Sequence, residues 1–457
     1  MRRVLGQIFS GPSFVLVFFE TLLIAGICLA TLYPTEAMAS APSPAGTATV
    51  TVALPAGIMA LMYSGGLYER EALFNLRRAF WRAALIAGPI FGLAVVTTGL
   101  LARSTTVPIY PYRWEWTLAL TAIWLFSALV LRLIFHEVHR SGYFSRPILF
   151  VGDERDAAEL HDLASLPASG FRIAGKLLKG ADERQPISAQ TLMKSAEQAG
   201  ACEIVVGSCR PDASVWPGLV QCRLSGLRVV DYLDFCETQG GRICIEAIRP
   251  EWLALSDGFR FRRAAELARR LADLMFALAA LIATAPVLLV TAIAVKLQDG
   301  GPILYRQERV GLNGRTFVLL KFRSMRTDAE RDGPVWATER DSRTTPFGSL
   351  IRKIRIDELP QFLNVLRGQM SIVGPRPERP CFVQQFSETI PFYDCRHLVK
   401  PGITGWAQVS FRYGASLEDA KRKLSYDLYY VKNRSVSLDL LILLKTIGVV
   451  LRGDGAR

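Results

Sequence analysis

Residues 271–297 read LADLMFALAALIATAPVLLVTAIAVKL. From Leu274 to Val295 the run is almost wholly apolar, with Pro286 near its centre. By length it fits a membrane-spanning helix, which needs about 20 such residues. A span here would carry everything after Lys296 to the far side of the bilayer. Proline inside a helix removes one hydrogen bond and pushes on the preceding turn, so a sharp bend at Ala285–Pro286 is the competing expectation. Each half would then have about 10–12 residues, the length of a re-entrant segment. The residues by themselves leave both topologies open, and the choice decides where the C-terminal half works.

Just upstream, RFRRAAELARRLADLMF (260–276) sets Arg260, Arg262, Arg263, Arg269 and Arg270 around Leu267 and Leu271. The pattern suits an interfacial helix with its arginines at lipid headgroups, and equally a solvated helix between domains. Four more apolar segments lie at about 13–33, 48–67, 80–102 and 115–135, each near the length of a span, so residues 1–138 read as four transmembrane helices. The 34–49 loop has no Lys or Arg, whereas Arg2 and Arg3 and then Arg70, Arg77, Arg78 and Arg82 flank the apolar segments. By the positive-inside rule the N-terminus and the 68–82 loop face the cytoplasm. Arg132 and Arg140 agree with a cytoplasmic return after the fourth segment; Arg103 and Arg113 fit less well.

Between these regions, 146–250 alternates buried strands with helical stretches. RPILFVGDERDAAEL, GACEIVVGS and GLRVVDYLDF carry the strands, an order that points to a parallel sheet of Rossmann type. Its first turn is Gly152-Asp153-Glu154, without the glycine that admits a pyrophosphate and with two carboxylates that repel one, so no dinucleotide is expected.

Composition agrees with a mixed membrane and cytosolic protein: of 457 residues 50% are apolar and 21% charged, with mean hydropathy +0.24. A net charge of +13 calls for an anionic partner. Nothing resembles a nucleic-acid-binding motif, which leaves the membrane surface and a phosphorylated substrate. Eight cysteines without C-x-x-C and four histidines without H-E-x-x-H spacing argue against zinc, and read as reduced thiols.

Downstream of the opening run, GPILYRQERVGLNGRTFVLLKFRSM reads as a hairpin turning at Gly311–Gly314, with Lys321, Arg323 and Arg326 on one cationic face. That face suits a diphosphate or is merely solvated. Then RIDELPQFLNVLRGQMSIVGPRPERP (355–380) sets Asp357 beside Glu358. Leu359, Phe362, Leu363 and Leu366 fall at helical spacing, so the helix is expected to start at about Asp357. The carboxylates then either cap it or do chemistry, one attacking while the other holds a metal. Arg352 and Arg355 lie just upstream, and a stiff Gly/Pro loop carries Arg376 and Arg379.

Read in order, LADLMFALAALIATAPVLLVTAIAVKL, GPILYRQERVG, KFRSM, IDELPQFLNVLRGQMSIVGPRPE, VKPGITGWAQV and YDLYYVKNRSVSLDLLILLKTI resemble the bacterial sugar transferases, monotopic phosphoglycosyl transferases that start glycan assembly on a polyprenyl phosphate. The resemblance covers about 262–452, and the whole chain resembles the large, multi-span form of that family. DFCETQGGRICIEAIRPEWLALSDGF (234–259) resembles the exopolysaccharide group of bacteria with PEP-CTERM sorting. The resemblance implies a multi-domain membrane protein. Its parts are four N-terminal transmembrane helices (1–138), a Rossmann-like α/β domain (146–250) and a C-terminal α/β monotopic catalytic domain (260–457) with a re-entrant helix at about 271–297.

It implies further that Asp357 is a nucleophile, Glu358 helps hold magnesium, and Ala285-Pro286 is the membrane break, with alanine where serine is usual. Lys321, Arg323 and Arg376 fall on its phosphate and nucleotide positions, Arg352 and Arg355 stand beside them, and Thr404 and Trp406 belong to a further active-site loop. The implied reaction passes a sugar 1-phosphate from a UDP-sugar to polyprenyl phosphate through a phosphosugar on Asp357, releasing UMP. The implied place is the cytoplasmic face of a bacterial inner membrane. Partners are UDP-sugar, polyprenyl phosphate and membrane lipid, not nucleic acid; a homo-oligomer and other glycan-assembly proteins are further partners that this reading admits. Competing readings are a non-catalytic scaffold, a nucleotide-sugar dehydrogenase or dehydratase, and a direct glycosyltransferase releasing UDP. Trp406 and Arg412 either tune sugar choice or are a packed aromatic and a solvated arginine.

Overall fold

A computed structural model of the chain describes residues 11–32, 52–68, 70–73, 75–104, 114–140, 145–165, 169–178, 189–208, 214–259, 263–326, 343–411 and 416–452. Arg2, Arg3, Arg113, Arg260, Arg262, Arg412 and the 34–49 loop lie outside the described residues. Contacts divide the chain into two units, Met1–Gly240 and Gly241–Arg457.

The first unit opens with helices α1 (Gly11–Leu32), α2 (Leu54–Ser64), a one-turn α3 (Arg70–Leu73), α4 (Leu76–Ser104) and α5 (Trp114–Arg140). Leu76–Thr97 and Leu118–Val138 are long and apolar enough to cross a bilayer, as is Arg263–Gln298 in the second unit; the protein is a membrane protein. α2 has 11 residues, about 16 Å of helix, well short of the apolar segment read at 48–67. Ile24, Cys28, Ile58, Met62, Ile86, Ile90 and Trp124 pack together inside this region. Charge buried among apolar helices needs a partner. Arg132 provides it, lying 2.9 Å from the Glu20 carboxylate and donating to the Leu67 carbonyl at 2.9 Å, while the Tyr68 hydroxyl also donates to Glu20.

Next come β1 (Arg146–Gly152), α6 (Glu154–Ser165), β2 (Phe171–Leu178), α7 (Ala189–Gln198), β3 (Glu203–Val206), α8 (Trp216–Leu224), β4 (Arg228–Asp231) and α9 (Tyr232–Gly240). The four strands are parallel, in the order β2-β1-β3-β4. Ile148–Val151 and all of β3 are buried, which is why they read as unbroken apolar runs. The chain reverses direction across the sheet between β1 and β3, and there Gly152 and Gly207 touch; a Cβ on Gly152 would lie 3.0 Å from the Gly207 Cα.

The sequence reading carried this domain to about 250, but 241–258 packs with the second unit. Trp406 Nε1 donates to the Gly241 carbonyl at 2.8 Å, Ile243 N to Ser425 O at 3.0 Å, and Lys432 Nζ sits 4.0 Å over the Trp252 ring. Gly258, at φ 134, presses so close that a Cβ would fall 2.8 Å from the Lys432 carbonyl.

The second unit continues through α10 (Pro250–Leu255), the 37-residue α11 (Arg263–Asp299), β5 (Leu304–Val310), β6 (Thr316–Phe322), α12 (Pro346–Lys353), α13 (Gln361–Leu366), β7 (Ser371–Val373), α14 (Pro380–Thr389), β8 (Gly402–Thr404), α15 (Trp406–Ser410), α16 (Leu417–Asn433) and α17 (Val436–Arg452). β5 and β6 form the expected antiparallel hairpin, and β7 pairs in parallel with β8. Helix α11 runs on through Pro286, so Ala285 and Pro286 lie inside one element and not between two. Two residues before Pro286, Thr284 Oγ1 bonds back to the Ala280 carbonyl at 2.7 Å, a bond that tends to bend helices.

Both ends of α11 are fastened to the same α/β layer. At its start Arg270 donates to the Val365 and Leu366 carbonyls at 2.6 and 2.8 Å, and Asp273 accepts from Ile372 N at 3.0 Å. At its end Val295 is buried with Phe322 and Ile351. Between them Leu278, Ile282, Leu289, Val290 and Ile293 are exposed.

Candidate active site

Asp357 and Glu358 owe their position to a strained turn. Thr345 Oγ1 caps α12 by accepting from Gly348 N at 3.0 Å, and the helix ends at Ile354. Arg355 follows in the left-handed region at φ 58, ψ 21, a place past a helix end that usually falls to glycine. Holding an arginine there costs on the order of 1 kcal/mol. The chain then closes a 3-10 turn, Ile356–Glu358, and Pro360 leads into α13. The helix therefore begins at Gln361, later than the expected Asp357. Proline at the boundary has no amide to give, and the left-handed Arg355 starts a separate turn. Successive side chains on a 3-10 turn point about 120° apart, so the two carboxylates cannot act as a symmetric pair.

Their surroundings differ accordingly. Glu358 Oε1 accepts from Arg376 Nη2 at 3.0 Å and Lys321 Nζ at 3.3 Å, and its Oε2 lies 3.7 Å from Arg355 Nη1. Burial pushes its carboxyl up, but Arg376, Lys321 and Arg355 outweigh burial and hold it well below the usual carboxylate range. Asp357 is 8% exposed. Burial, and then the Glu358 charge, push it up to about 6 against the pull of Lys321, Arg352 and Arg376. Glu358 is a fixed anion in a cationic ring; Asp357 is the carboxyl whose proton is exchangeable near neutral pH.

Besides Arg355 of the turn itself, three elements supply the ring. Lys321 comes from β6, and burial lowers its pKa while Glu358 opposes the change. Arg352, on α12, is steadied by Thr344 Oγ1 at 3.2 Å. Arg376 comes from the Gly/Pro loop after β7. Arg323 is placed elsewhere: it is buried against the end of α11, its Nη2 3.3 Å from the Val295 carbonyl. Thr404 and Trp406 are buried behind the Gly/Pro loop. Thr404 O accepts from Gly374 N at 2.8 Å, and its Oγ1 lies 2.6 Å from Thr446 Oγ1. Trp406 is packed under Lys445, whose Nζ is 4.5 Å from the ring centre.

Sequence reasoning missed Asn364. It is fully buried on α13, accepts from Leu320 N at 3.0 Å, and donates to Val318 O at 2.7 Å and Gln369 Oε1 at 2.8 Å. It thus bolts the helix after the dyad to the strand that carries Lys321. A lone Asn among Phe362, Leu363, Val365 and Leu366 was its only sequence signal.

Among the described residues no cluster of three or more His, Cys, Asp or Glu side chains forms a closed metal cage. Two adjacent carboxylates do fit magnesium, which is held by one or two protein carboxylates and completed by substrate phosphates and water.

The bacterial sugar transferase family matches residues 264–453. An Aeromonas hydrophila protein, UDP-N-acetylgalactosamine-undecaprenyl-phosphate N-acetylgalactosaminephosphotransferase, is 42% identical over 261 residues, 56% of this chain and 60% of that protein. The UDP-glucose:undecaprenyl-phosphate glucose-1-phosphate transferase of Escherichia coli K12 is 42% identical over 183 residues, 40% of this chain and 39% of its own length. The chain thus spans less than two thirds of these two relatives. The uncharacterized sugar transferase EpsL of Bacillus subtilis 168 is 43% identical over 187 residues, 41% of this chain but 89% of EpsL. Matched over nearly all of EpsL, this chain belongs to the bacterial sugar transferase family.

Proposed function

We propose that the chain is an enzyme that transfers a sugar 1-phosphate from a UDP-sugar to undecaprenyl or a similar polyprenyl phosphate, releasing UMP, as the first membrane step of exopolysaccharide assembly. The observation that carries this reading is the dyad turn: a buried carboxyl beside an anion held by three basic side chains. The names of the Aeromonas and Escherichia relatives support the substrate classes and make UDP-N-acetylgalactosamine and UDP-glucose the first sugars to test.

In the first step an Asp357 oxygen attacks the β-phosphorus of the UDP-sugar. The bond from that phosphorus to the bridging oxygen breaks, and UMP departs with the electron pair. In the second step an oxygen of polyprenyl phosphate attacks the same phosphorus, and Asp357 leaves as a carboxylate. Lys321 and Arg376 face the anionic groups in both steps, where preorganised charge does most of the stabilising. Glu358 would hold magnesium, which would supply further charge neutralisation when bound.

Helix α11 is read as re-entrant. A span would separate its ends by about 30 Å of hydrocarbon, yet the first end is hydrogen-bonded to α13 and β7 and the second packs on Phe322 and Ile351 and accepts from Arg323, which supports a helix that dips in and returns. By the positive-inside rule Arg77, Arg78 and Arg82 at the start of α4 mark a cytoplasmic end, and α4 and α5 then cross and return, which supports a catalytic unit facing the cytoplasm at the inner membrane. The parallel sheet is read as a Rossmann-like domain without dinucleotide. In support, Asp156 accepts from Ser208 N and Oγ at 2.6 and 2.7 Å at the turn where a pyrophosphate would sit.

The test is nucleotide release from the purified protein given magnesium, polyprenyl phosphate and either UDP-sugar, with Asp357→Asn alongside. UMP release lost in the variant is the expected result. UDP release would assign direct glycosyl transfer, and no release with any UDP-sugar would overturn the reading.

A further inference from the structure

The loop that carries Arg376 reads G-P-R-P-E (374–378). Its two prolines have no amide to donate, so the loop has little with which to hold itself. Four successive carbonyls are nevertheless engaged from outside. Pro375 O accepts from Gly402 N at 2.9 Å, and Arg376 O accepts from Arg396 Nη2 at 2.9 Å. Pro377 O accepts from Arg309 Nη1 at 3.0 Å, and Glu378 O accepts from Val310 N at 3.0 Å. Two of these donors are strand-end amides. The other two are long side chains brought from other parts of the chain.

Arg396 is itself immobilised. Its Nη2 also donates to Asp427 Oδ2 at 2.8 Å, its Nη1 donates to the Tyr393 hydroxyl at 2.7 Å, and its guanidinium lies 5.2 Å from the Tyr393 ring centre. The Arg396 and Asp427 side chains are 6% and 3% exposed. Burying such a pair is costly and seldom the best route to stability. The pair is aimed at the carbonyl of the residue whose own guanidinium reaches Glu358. We infer that Arg396, locked by Asp427 and Tyr393, is a positioning residue for phosphosugar transfer: it fixes the backbone at Arg376 so that the guanidinium meets the diphosphate without rearrangement. The inference rests on the function proposed above. A misplacement of about 1 Å at such a group costs roughly 100-fold in rate.

The test removes the clamp without stranding a buried charge. In the full chain, Arg396→Met, Asp427→Leu and Tyr393→Phe together take away all three polar partners. The Gly402 and Val310 amides, which donate to the loop, should exchange with solvent about tenfold faster, while the Leu320 amide, held by Asn364, should not change. The kcat/KM for UDP-sugar should fall about 10- to 100-fold. In an Arg376→Ala background the triple change should cost nothing further, because its effect passes through Arg376. Arg396→Lys cannot serve all three partners at once and should give the same signatures at smaller size, which covers failure of the triple variant to fold.

Unchanged exchange at Gly402 and Val310 overturns the inference. So does full activity in a folded variant, or a loss that multiplies with Arg376→Ala. Exchange is read without substrate. A wild-type protein that releases no UMP therefore counts against the proposed function, and the clamp is still judged by the exchange result.

Discussion

Each α/β unit of this protein places two carboxylates where a turn leads toward a helix. In the first unit, Asp153 Oδ1 accepts from Asp156 N at 3.0 Å and Asp156 accepts from both donors of Ser208. In the second, Asp357 and Glu358 share Lys321, Arg352, Arg355 and Arg376. Backbone amides and a hydroxyl bond to the first pair and close the turn. Four cations around two anions leave the second pair in a field that still favours an arriving phosphate. The same local device is a closed turn in one place and the seat of the proposed chemistry in the other, and the difference lies in what distant elements bring to it.

Substitutions sharpen that contrast. Asp357→Asn should abolish UMP release, by at least about 1,000-fold in kcat, because the nucleophile itself is lost. The same change should strengthen the fold at pH 7. Asp357 has a raised pKa, so its contribution to stability is present below about 4 and lost as pH rises to about 6; removing its charge restores on the order of 1 kcal/mol. Thermal unfolding at pH 7 and pH 4 checks this, with the gain expected only at pH 7.

Arg376→Ala should cost about 100-fold in kcat/KM, the size of a lost electrostatic group. Lowering the pH below about 6 should reduce kcat/KM about tenfold per unit as Asp357 takes up its proton; a profile flat down to pH 4.5 would argue against Asp357 as the nucleophile. Asn364→Ala strands Leu320 N and Val318 O and should cost about 1–3 kcal/mol in denaturant unfolding. Smallest in activity is Asp156→Ala, which should loosen the parallel sheet and leave UMP release unchanged. An equal loss of release there would erase the contrast between the two carboxylate pairs.

Much of this was legible in the residues. The buried strands at Ile148–Val151 and Glu203–Val206 announced themselves as apolar runs, and the hairpin by its Gly311–Gly314 turn. The dyad and its basic neighbours stood together in one stretch. The helical spacing of Leu359, Phe362, Leu363 and Leu366 announced α13 but not which side of it is buried. Gln361, Asn364 and Val365 are the buried residues. The reason is tertiary: Phe362 meets Phe276 of the apolar α11, their ring centres 6.2 Å apart, while the polar side of α13 is hydrogen-bonded to β6. Arg323 alternated with Lys321 along the strand, but α11 claims it. Arg309, Arg396 and Asp427 act on a loop far from them in sequence, and no local pattern encodes such partners.

The central claim is that Asp357 carries the phosphosugar between the two substrates. The direct test is intact-protein and peptide mass spectrometry after mixing the protein with magnesium and UDP-sugar in the absence of polyprenyl phosphate. The account predicts one sugar-phosphate adduct on the Asp357 peptide, with one equivalent of UMP, discharged when polyprenyl phosphate is added. UMP formed only when both substrates are present, with no adduct at any time, would contradict it.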